Sequence, residues 1–389
     1  MSILLDSIES MAEISANDWN GLVGSGNPFL RHEFLLAIEN HSVVGTHTGW
    51  EPHFIVARIA DQLVGAIPLY VKMHSWGEFV FDWAWANAYA QSGLDYYPKL
   101  VCCIPYSPIT GPRILVTDSD STQTITRELI TACRHFGNQL GVSSIHWLFT
   151  NDKDTDLLQR AGYLVRTGYQ FHWHNDNYQN FNQYLQSFSS RYRKKIKCER
   201  NRVRNYDIRI DVIEGQDVTE ALWLQYYDFY ASTFIKRGHQ VPLNPEFFLS
   251  IGESMPDNTL LIMARDNLKY IAGAFFLKSD NSLYGRHWGT LQEYHCLHFE
   301  VCYYQALEYC ISNHFEKFEA GAQGEHKIGR GFRPARTYSL HWITDPQFKD
   351  AINRYLLEEA GHVDRYITSM AAHLPFKNTG VDHGQSGLA

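Results

Sequence analysis

The chain has 389 residues, of which 44% are hydrophobic, and a formal net charge of -8 at pH 7. This length and apolar content predict two domains with ordinary cores, and the acidic balance argues against a protein that coats nucleic acid with its whole surface. No apolar run approaches the roughly 18 residues of a membrane span, so we expect a cytoplasmic protein without membrane insertion. The seven cysteines form no C-x-x-C pair and are expected to be reduced.

The first predicted element of note is a helix that begins after Asn27. The Asn27 side chain suits a helix cap, and Pro28 suits the first helical position. Phe34, Leu35 and Ile38 then supply an apolar stripe. This helix is therefore expected to pack against the core.

Two segments far apart in the chain share one pattern. Residues 54–72 and 261–278 each contain an apolar run that ends in Ala-Arg, a polar turn, a second apolar run with Gly-Ala, and a final Lys. This pattern predicts a β-hairpin in each segment. A third strand is expected to begin at Glu78 after the first hairpin and at Ser282 after the second.

Each predicted meander is followed by a helical pattern and a short strand. The first copy has a helix over residues 124–140 and a strand that begins at Ser143. In the second copy, apolar residues repeat with the helical period over residues 299–310, and a strand begins at Lys317.

The order meander, helix, strand occurs twice in the sequence. This repeat predicts a mixed-sheet α/β (α+β) fold that arose by tandem duplication. We place the domain boundary at the polar stretch after the QFHWH sequence. The expected domains are residues 1–175 and residues 176–389, and the tail after Lys377 is expected to fray.

A strongly basic helix is predicted over residues 189–204. It carries eight basic residues and one Glu, and its narrow apolar seam predicts docking by one thin edge. Arg191, Arg193 and Lys194 lie at its start, where a capped helix N-terminus favours a phosphate. The alternative is a solvated face that serves only solubility.

Several long motifs carry a resemblance to a known family: FVFDWAWANAYAQSGLDYYPKL, PYSPITGPR, SFSSRYRKKIKCER, LHFEVCYYQALEY and GAQGEHKIGRGFRPARTYSLHWI. Over residues 27–359 the chain resembles the FemAB-like peptidoglycan biosynthesis/recognition family of the GNAT superfamily. The resemblance implies tandem GNAT-like domains. It also implies kinship with enzymes that move an amino acid from aminoacyl-tRNA to the amine of a peptidoglycan precursor.

At one turn the sequence of this chain differs from that of GNAT enzymes that use acyl-CoA. GNAT enzymes that use CoA hold its pyrophosphate on a Q/R-x-x-G-x-G/A turn before the helix. The corresponding sequence here, WGTLQEYHCLH, lacks that spacing, and the HKIGRG sequence at residues 326–331 follows a different strand.

The stretch EAGAQGEHKIGRGFRP at residues 319–334 concentrates the groups that acyl transfer to an amine requires. Such a reaction needs a base, an oxyanion donor and positive charge for a phosphate-bearing carrier. Glu325 and His326 are the candidate bases, and Gln323 is the candidate oxyanion donor. The predicted anion-binding side chains are Lys327, Arg330 and Arg333.

If this half folds as a GNAT domain, further side chains are expected to converge on the same cleft. The helix start brings His298 as a substrate contact and Glu300 as a third possible base. On the third meander strand only one of Arg286 and His287 is expected to face the cleft, and we favour Arg286. The last two predicted substrate contacts are Tyr338 and His341.

Structural alternatives accompany these assignments. Glu325 could pair with Lys327 or Arg330 in a network without catalytic role, Glu300 could only complement the helix dipole, and His341 could be a packed core residue. A metal site is not expected, because the HCLH and HWH sequences lack the paired spacings of a closed tetrahedral set.

The sequence therefore predicts an acyl- or aminoacyltransferase with direct attack by an amine acceptor, which the resemblance suggests is a peptidoglycan precursor. No tightly bound cofactor is expected. The donor would be aminoacyl-tRNA, acyl-CoA or an acyl-carrier thioester. The alternative is a non-catalytic protein that binds a cell-wall fragment or RNA.

Overall fold

The computed structural model describes residues 2–322 and 324–377. The strands are β1 (Leu4–Ile8), β2 (Trp50–Pro52), β3 (Phe54–Ile59), β4 (Gln62–Ile67), β5 (Leu69–Lys72), β6 (Lys99–Cys102), β7 (Leu115–Val116), β8 (Ser144–Thr150), β9 (Leu164–His174), β10 (Ile208–Glu214), β11 (Thr259–Asp266), β12 (Lys269–Lys278), β13 (Ser282–Thr290), β14 (Lys317–Glu319) and β15 (Arg333–Ile343).

The helices are α1 (Ala16–Val23), α2 (His32–Asn40), α3 (Trp83–Gln91), α4 (Thr122–Leu140), α5 (Asp152–Arg160), α6 (Phe181–Ser187), α7 (Ser190–Arg204), α8 (Glu220–Ile235), α9 (Pro245–Ser254), α10 (Leu297–Phe299), α11 (Gln305–Ser312) and α12 (Pro346–Ala371). A π-helical turn (Glu300–Tyr304) joins α10 to α11.

Both predicted hairpins are confirmed. Strands β3 and β4 pair antiparallel in the first half, and β11, β12 and β13 form the antiparallel meander of the second half. In the first half Pro68 separates β4 from β5, and since proline has no N–H to donate, the strand breaks there. Strand β4 then belongs to a small sheet in the order β1-β3-β4-β7, and β5 belongs to the large sheet.

The predicted third strand at Glu78 is wrong. Residues 73–82 form an irregular segment that leads into helix α3, and β6 takes the place beside β5. The physical reason lies in the carboxylates of Glu78 and Asp82, which turn inward and bind the buried ammonium group of Lys99. The intervening aromatic side chains are thereby turned outward.

The large sheet joins the two halves of the chain by exchanging strands. Its order is β10-β11-β12-β13-β14-β9-β15-β8-β6-β5-β2. Strand β9, from the first half, pairs with β14 of the second half, and β15 pairs with β8 of the first half. The boundary near residue 175 stays a prediction, and these two strands tie the units on either side of it together.

Each half contains one short parallel pair from which the strands diverge. Strand β13 pairs with β14 over only three positions, Ser282 to Tyr284, and β6 pairs with β8 over Leu100 to Cys102. Beyond the last β13–β14 pair the two strands splay apart and leave a gap. The C-terminal gap holds part of the candidate site.

The two halves also share one aromatic core. The ring of Phe29 packs edge-on against Tyr284 with centroids 5.5 Å apart, and Phe34 packs against Phe247 at 5.7 Å. Each of these buried pairs joins a residue of the first half to one of the second. The core therefore fixes the position of each splayed strand pair relative to the other.

Candidate functional site

Two hollows lie on either side of the turn that follows β14. The first, here called the central groove, has a volume of about 410 Å³ and lies on one face of the paired strands β9 and β15, bounded by residues 79–81 and helix α12. The second, here called the C-terminal cleft, has a volume of about 130 Å³ and lies where β13 leaves β14. The glycine-rich turn over residues 320–331 borders both hollows, since Ala320 lines the cleft and Glu325 lines the groove.

The C-terminal cleft contains two of the predicted substrate contacts. A β-bulge leaves Arg286 without a partner, because Phe275 pairs with His287 and Phe276 pairs with Gly285. The bulge brings both Arg286 and His287 to the cleft wall, whereas strict alternation predicted only one of them. The Arg286 guanidinium donates to the Tyr106 carbonyl, and burial lowers the pKa of this arginine to about 10.

His298 lines the same cleft and is neutral at physiological pH. Burial, assisted by the neighbouring His326, Arg330 and Lys327, lowers the pKa of His298 to about 4. Its ring packs edge-on against Tyr303. A neutral imidazole in this position offers one hydrogen-bond donor and one acceptor to a ligand.

The two predicted bases of the turn face different surroundings. The Glu325 carboxylate lines the central groove and accepts a hydrogen bond of 2.5 Å from the Tyr366 hydroxyl. His326 lies on the side of the C-terminal cleft, where Nε2 is 2.9 Å from the Tyr303 hydroxyl and the ring centroid is 6.0 Å from that of His298. Partial burial and the charges of Arg330 and Lys327 lower the pKa of His326, which favours the form able to accept a proton.

The predicted cations of the turn are mostly engaged within the protein. The Lys327 ammonium is buried and donates a hydrogen bond of 2.6 Å to the Gly321 carbonyl, which joins the two sides of the turn. Burial lowers the pKa of Lys327 to about 7. Arg330 forms a 2.7 Å ion pair with Glu199 and lies 3.5 Å from the centroid of the Phe299 ring.

Arg333 lies beyond the turn and forms a 2.5 Å ion pair with Asp176 at the surface. Gln323, the predicted oxyanion donor, lies outside the described residues.

The remaining three predicted residues are separated from one another. The Glu300 carboxylate is buried and forms a 2.8 Å ion pair with Arg200, so the structure does not bring it to Glu325. Tyr338 does line the central groove. His341 is fully buried against the first half of the chain, with its Nδ1 2.6 Å from Nδ1 of His146, because β8 pairs with β15 at this point.

The basic helix α7 packs on the glycine-rich turn. A Cβ atom built on Gly329 would lie 3.3 Å from the Tyr192 ring, and Glu199 binds Arg330. Ile196 and Val203 are buried as the predicted seam requires, while Arg200 is buried as well because Glu300 and Glu308 pair with it. Arg191 and Lys194 are exposed and Arg193 is half-buried, so positive charge borders the turn.

The side chains that position the candidate bases and line the groove include three that the sequence did not predict. Tyr303 and Tyr366, which contact the two candidate bases, come from the π-helical turn and from the last helix. Arg166 reaches the groove from β9 and forms a 2.8 Å ion pair with Glu359 of α12. No local motif marks these residues, and the helical period that marks α12 says nothing about which strands it covers.

A β-hairpin, a helix and a short parallel strand pair recur in both halves of the chain, and this arrangement defines a tandem GNAT-like fold. Among solved structures, FemX has a TM-score of 0.53 at 10% identity, with 90% of this chain and 100% of that chain covered. L-PGS from Bacillus licheniformis has a TM-score of 0.50 at 10% identity, covering 82% and 95%. A C-terminal DUF2156 domain from Agrobacterium fabrum has a TM-score of 0.54 at 8% identity, covering 90% and 97%. At these identities the likeness shows the fold.

The chain belongs to the FemAB-like family, described as peptidoglycan biosynthesis/recognition, whose model matches residues 10–378. Comparison with curated protein sequences gives no significant match. Within residues 2–322 and 324–377, no helix has both the length and the apolar character needed to cross a bilayer.

Proposed function

We propose that this protein transfers an acyl or aminoacyl group to an amine acceptor at the glycine-rich turn over residues 320–331. One observation supports the proposal above all: this single turn borders two hollows, with Ala320 on the C-terminal cleft and Ala322, Gly324 and Glu325 on the central groove. Direct transfer needs a donor and an acceptor held in adjoining sites with their reacting atoms in contact. The larger groove suits the acceptor, and the cleft suits the acyl end of the donor.

In this proposal the amine nitrogen attacks the acyl carbon, a C–N bond forms, and the C–O or C–S bond to the donor breaks. Glu325 takes the proton released by the amine, since its carboxylate faces the groove. The leaving oxygen or sulfur keeps the electron pair of the broken bond and takes up the proton that Glu325 has accepted. His326 is the alternative base if the amine enters from the cleft, and Glu300 acts only by fixing Arg200.

The donor is proposed to carry phosphate, with aminoacyl-tRNA favoured. The exposed charges of Arg191 and Lys194 lie on a helix packed against the turn. Residues 291–296, which precede α10, contain no glycine that would let the backbone wrap a CoA pyrophosphate. Family membership makes the amine of a peptidoglycan precursor the first acceptor to test.

A transfer assay tests the proposal directly. The full chain is incubated with a synthetic lysine-containing peptidoglycan stem peptide and with mixed aminoacyl-tRNA, acetyl-CoA or an acyl-carrier thioester, and the peptide mass is measured. We expect a mass increase of one aminoacyl group with aminoacyl-tRNA. Binding of the peptide without product from any of the three donors would instead favour the non-catalytic alternative.

The basic helix gives a second prediction. The K194A/K195A/K197A variant is expected to bind tRNA more weakly, and the negative slope of log K against log salt should become shallower by about 0.7–0.9 for each phosphate that the helix no longer neutralises. The matched control is R127A/K153A/R160A, which removes three exposed cations from α4 and α5. Equal tRNA affinity of the two variants across a salt titration would exclude α7 as the region that binds the donor.

A further inference from the structure

The segment over residues 73–83, here called the aromatic loop, exposes most of its apolar side chains and buries most of its polar ones. Five of its apolar side chains face solvent, and three of them are more than half exposed: Trp76 (65%), Phe81 (59%) and Met73 (55%). The other two exposed side chains are Phe79 and Trp83. Of its polar residues, Ser75, Glu78 and Asp82 are buried and His74 is half-buried. A loop with no partner would be expected to show the opposite arrangement.

A buried lysine holds the aromatic loop in this orientation. Lys99 is 0% exposed, and its ammonium group contacts the carboxylates of both Glu78, at 2.8 Å, and Asp82. Ser75 accepts a further hydrogen bond of 3.0 Å from the same group. Three polar side chains therefore make internal contacts that hold the aromatic side chains on the solvent side of the loop. Such an arrangement indicates that the exposed aromatic face binds something.

We propose that the aromatic loop docks the protein on the interfacial region of a lipid bilayer without crossing it. Tryptophan favours this region because its ring is apolar while its N–H can still reach water or a headgroup. The two indoles, Trp76 and Trp83, lie edge to face with centroids 5.2 Å apart. The loop also presents no carboxylate or ammonium to the outside, as a contact with the apolar side of an interface requires.

The position of the loop relative to the central groove supports a lipid surface. Phe79, Val80 and Phe81 form part of the groove wall, so the groove opens beside the exposed aromatics. Docking at this face would bring the groove mouth to the bilayer, where the head of a membrane-borne molecule could enter it. This inference concerns where the protein resides and holds whether or not the proposed transfer reaction is correct.

Vesicle sedimentation tests the proposal. The full chain is mixed with sucrose-loaded phosphatidylcholine vesicles in 0.5 M NaCl, a condition that suppresses electrostatic binding by helix α7. We expect the wild type to sediment and the M73S/W76S variant to show an affinity lower by about tenfold or more. The matched control I235S/L268S removes two apolar side chains of similar or greater exposure, 66% and 94%, and should bind within about twofold of the wild type.

Fluorescence identifies the residues that enter the lipid. Phosphatidylcholine with brominated acyl chains should quench part of the wild-type tryptophan emission. The W76F/W83F variant keeps the apolar surface, so it should still sediment but should lose most of that quenching.

Three results would overturn the proposal. The first is a wild type that stays in solution, and the second is equal binding by M73S/W76S and I235S/L268S. The third is self-association, measured by light scattering and abolished by M73S/W76S, in a protein that does not bind vesicles; this result would assign the face to a second copy of the chain. Because Met73 and Trp76 do not line the groove, transfer to a soluble amine should be the same in M73S/W76S as in the wild type.

Discussion

Replacing Lys99 with methionine is expected to lower the free energy of unfolding by about 3–5 kcal/mol at pH 7. The substitution removes the cation between Glu78 and Asp82 but leaves both carboxylates buried, at 3% and 2% exposure. A buried carboxylate without a partner must either remain charged in an apolar site or take up a proton, and both cost free energy at this pH. Chemical denaturation followed by circular dichroism measures the decrease.

The same variant has a predictable dependence on pH. Burial raises the pKa of Glu78 to about 7 even with Lys99 present, and without Lys99 the folded-state pKa values of both Glu78 and Asp82 should lie above those of the unfolded chain. Groups with a raised folded pKa bind more protons in the folded state, so the stability they contribute is present at low pH and is lost as the pH rises. The deficit of K99M relative to the wild type should therefore shrink as the pH falls toward about 5.

A compensated variant separates charge from packing. In K99M/E78Q/D82N the two carboxylates become amides of similar size, and no buried charge remains in the cluster. We expect this triple variant to recover at least half of the stability that K99M lacks, since neutral replacement of a buried ionic network is often tolerated. Two results would contradict this account: a K99M protein as stable as the wild type, and a triple variant as unstable as K99M. Either result would show that the charges of the cluster do not stabilise the loop.

This cluster also explains where sequence-based prediction of the fold failed. The hairpins at β3–β4 and β11–β12 were predictable because their strands are continuous apolar runs around polar turns, and both signals are local. The segment after Glu78 has an alternating pattern that normally indicates a strand. Its partner, Lys99, lies about twenty residues further on, and nothing in the pattern reveals that the polar side of the alternation faces inward.

The candidate site was predictable only in part for a similar reason. The turn over residues 320–331 could be found because its acids, bases and glycines lie close together in the sequence. The separation of Glu325 from His298 depends on strands β9 and β15, which cross between the halves and build the groove on one side of the turn. His341 was misplaced for the same reason, since its neighbour His146 lies in the other half of the chain.

Replacing Glu325 with glutamine is expected to lower kcat for transfer by about 10²-fold or more, the usual contribution of a positioned general base. The amide keeps the size of the side chain and accepts the hydrogen bond from Tyr366 but cannot take a proton from the amine. Because substrate contacts are otherwise retained, KM should change much less than kcat. The measurement is steady-state transfer to the stem peptide with the donor that gives product.

The comparison with His326→Gln determines which hollow the amine occupies. His326 contacts Tyr303 on the side of the C-terminal cleft, so its replacement should affect donor binding and lower kcat by less than about tenfold if Glu325 is the base. A large decrease in H326Q with a small decrease in E325Q would move the base, and with it the amine, to the cleft. Full turnover in both variants would show that neither Glu325 nor His326 is the base, since these are the carboxylate and the imidazole of residues 320–331.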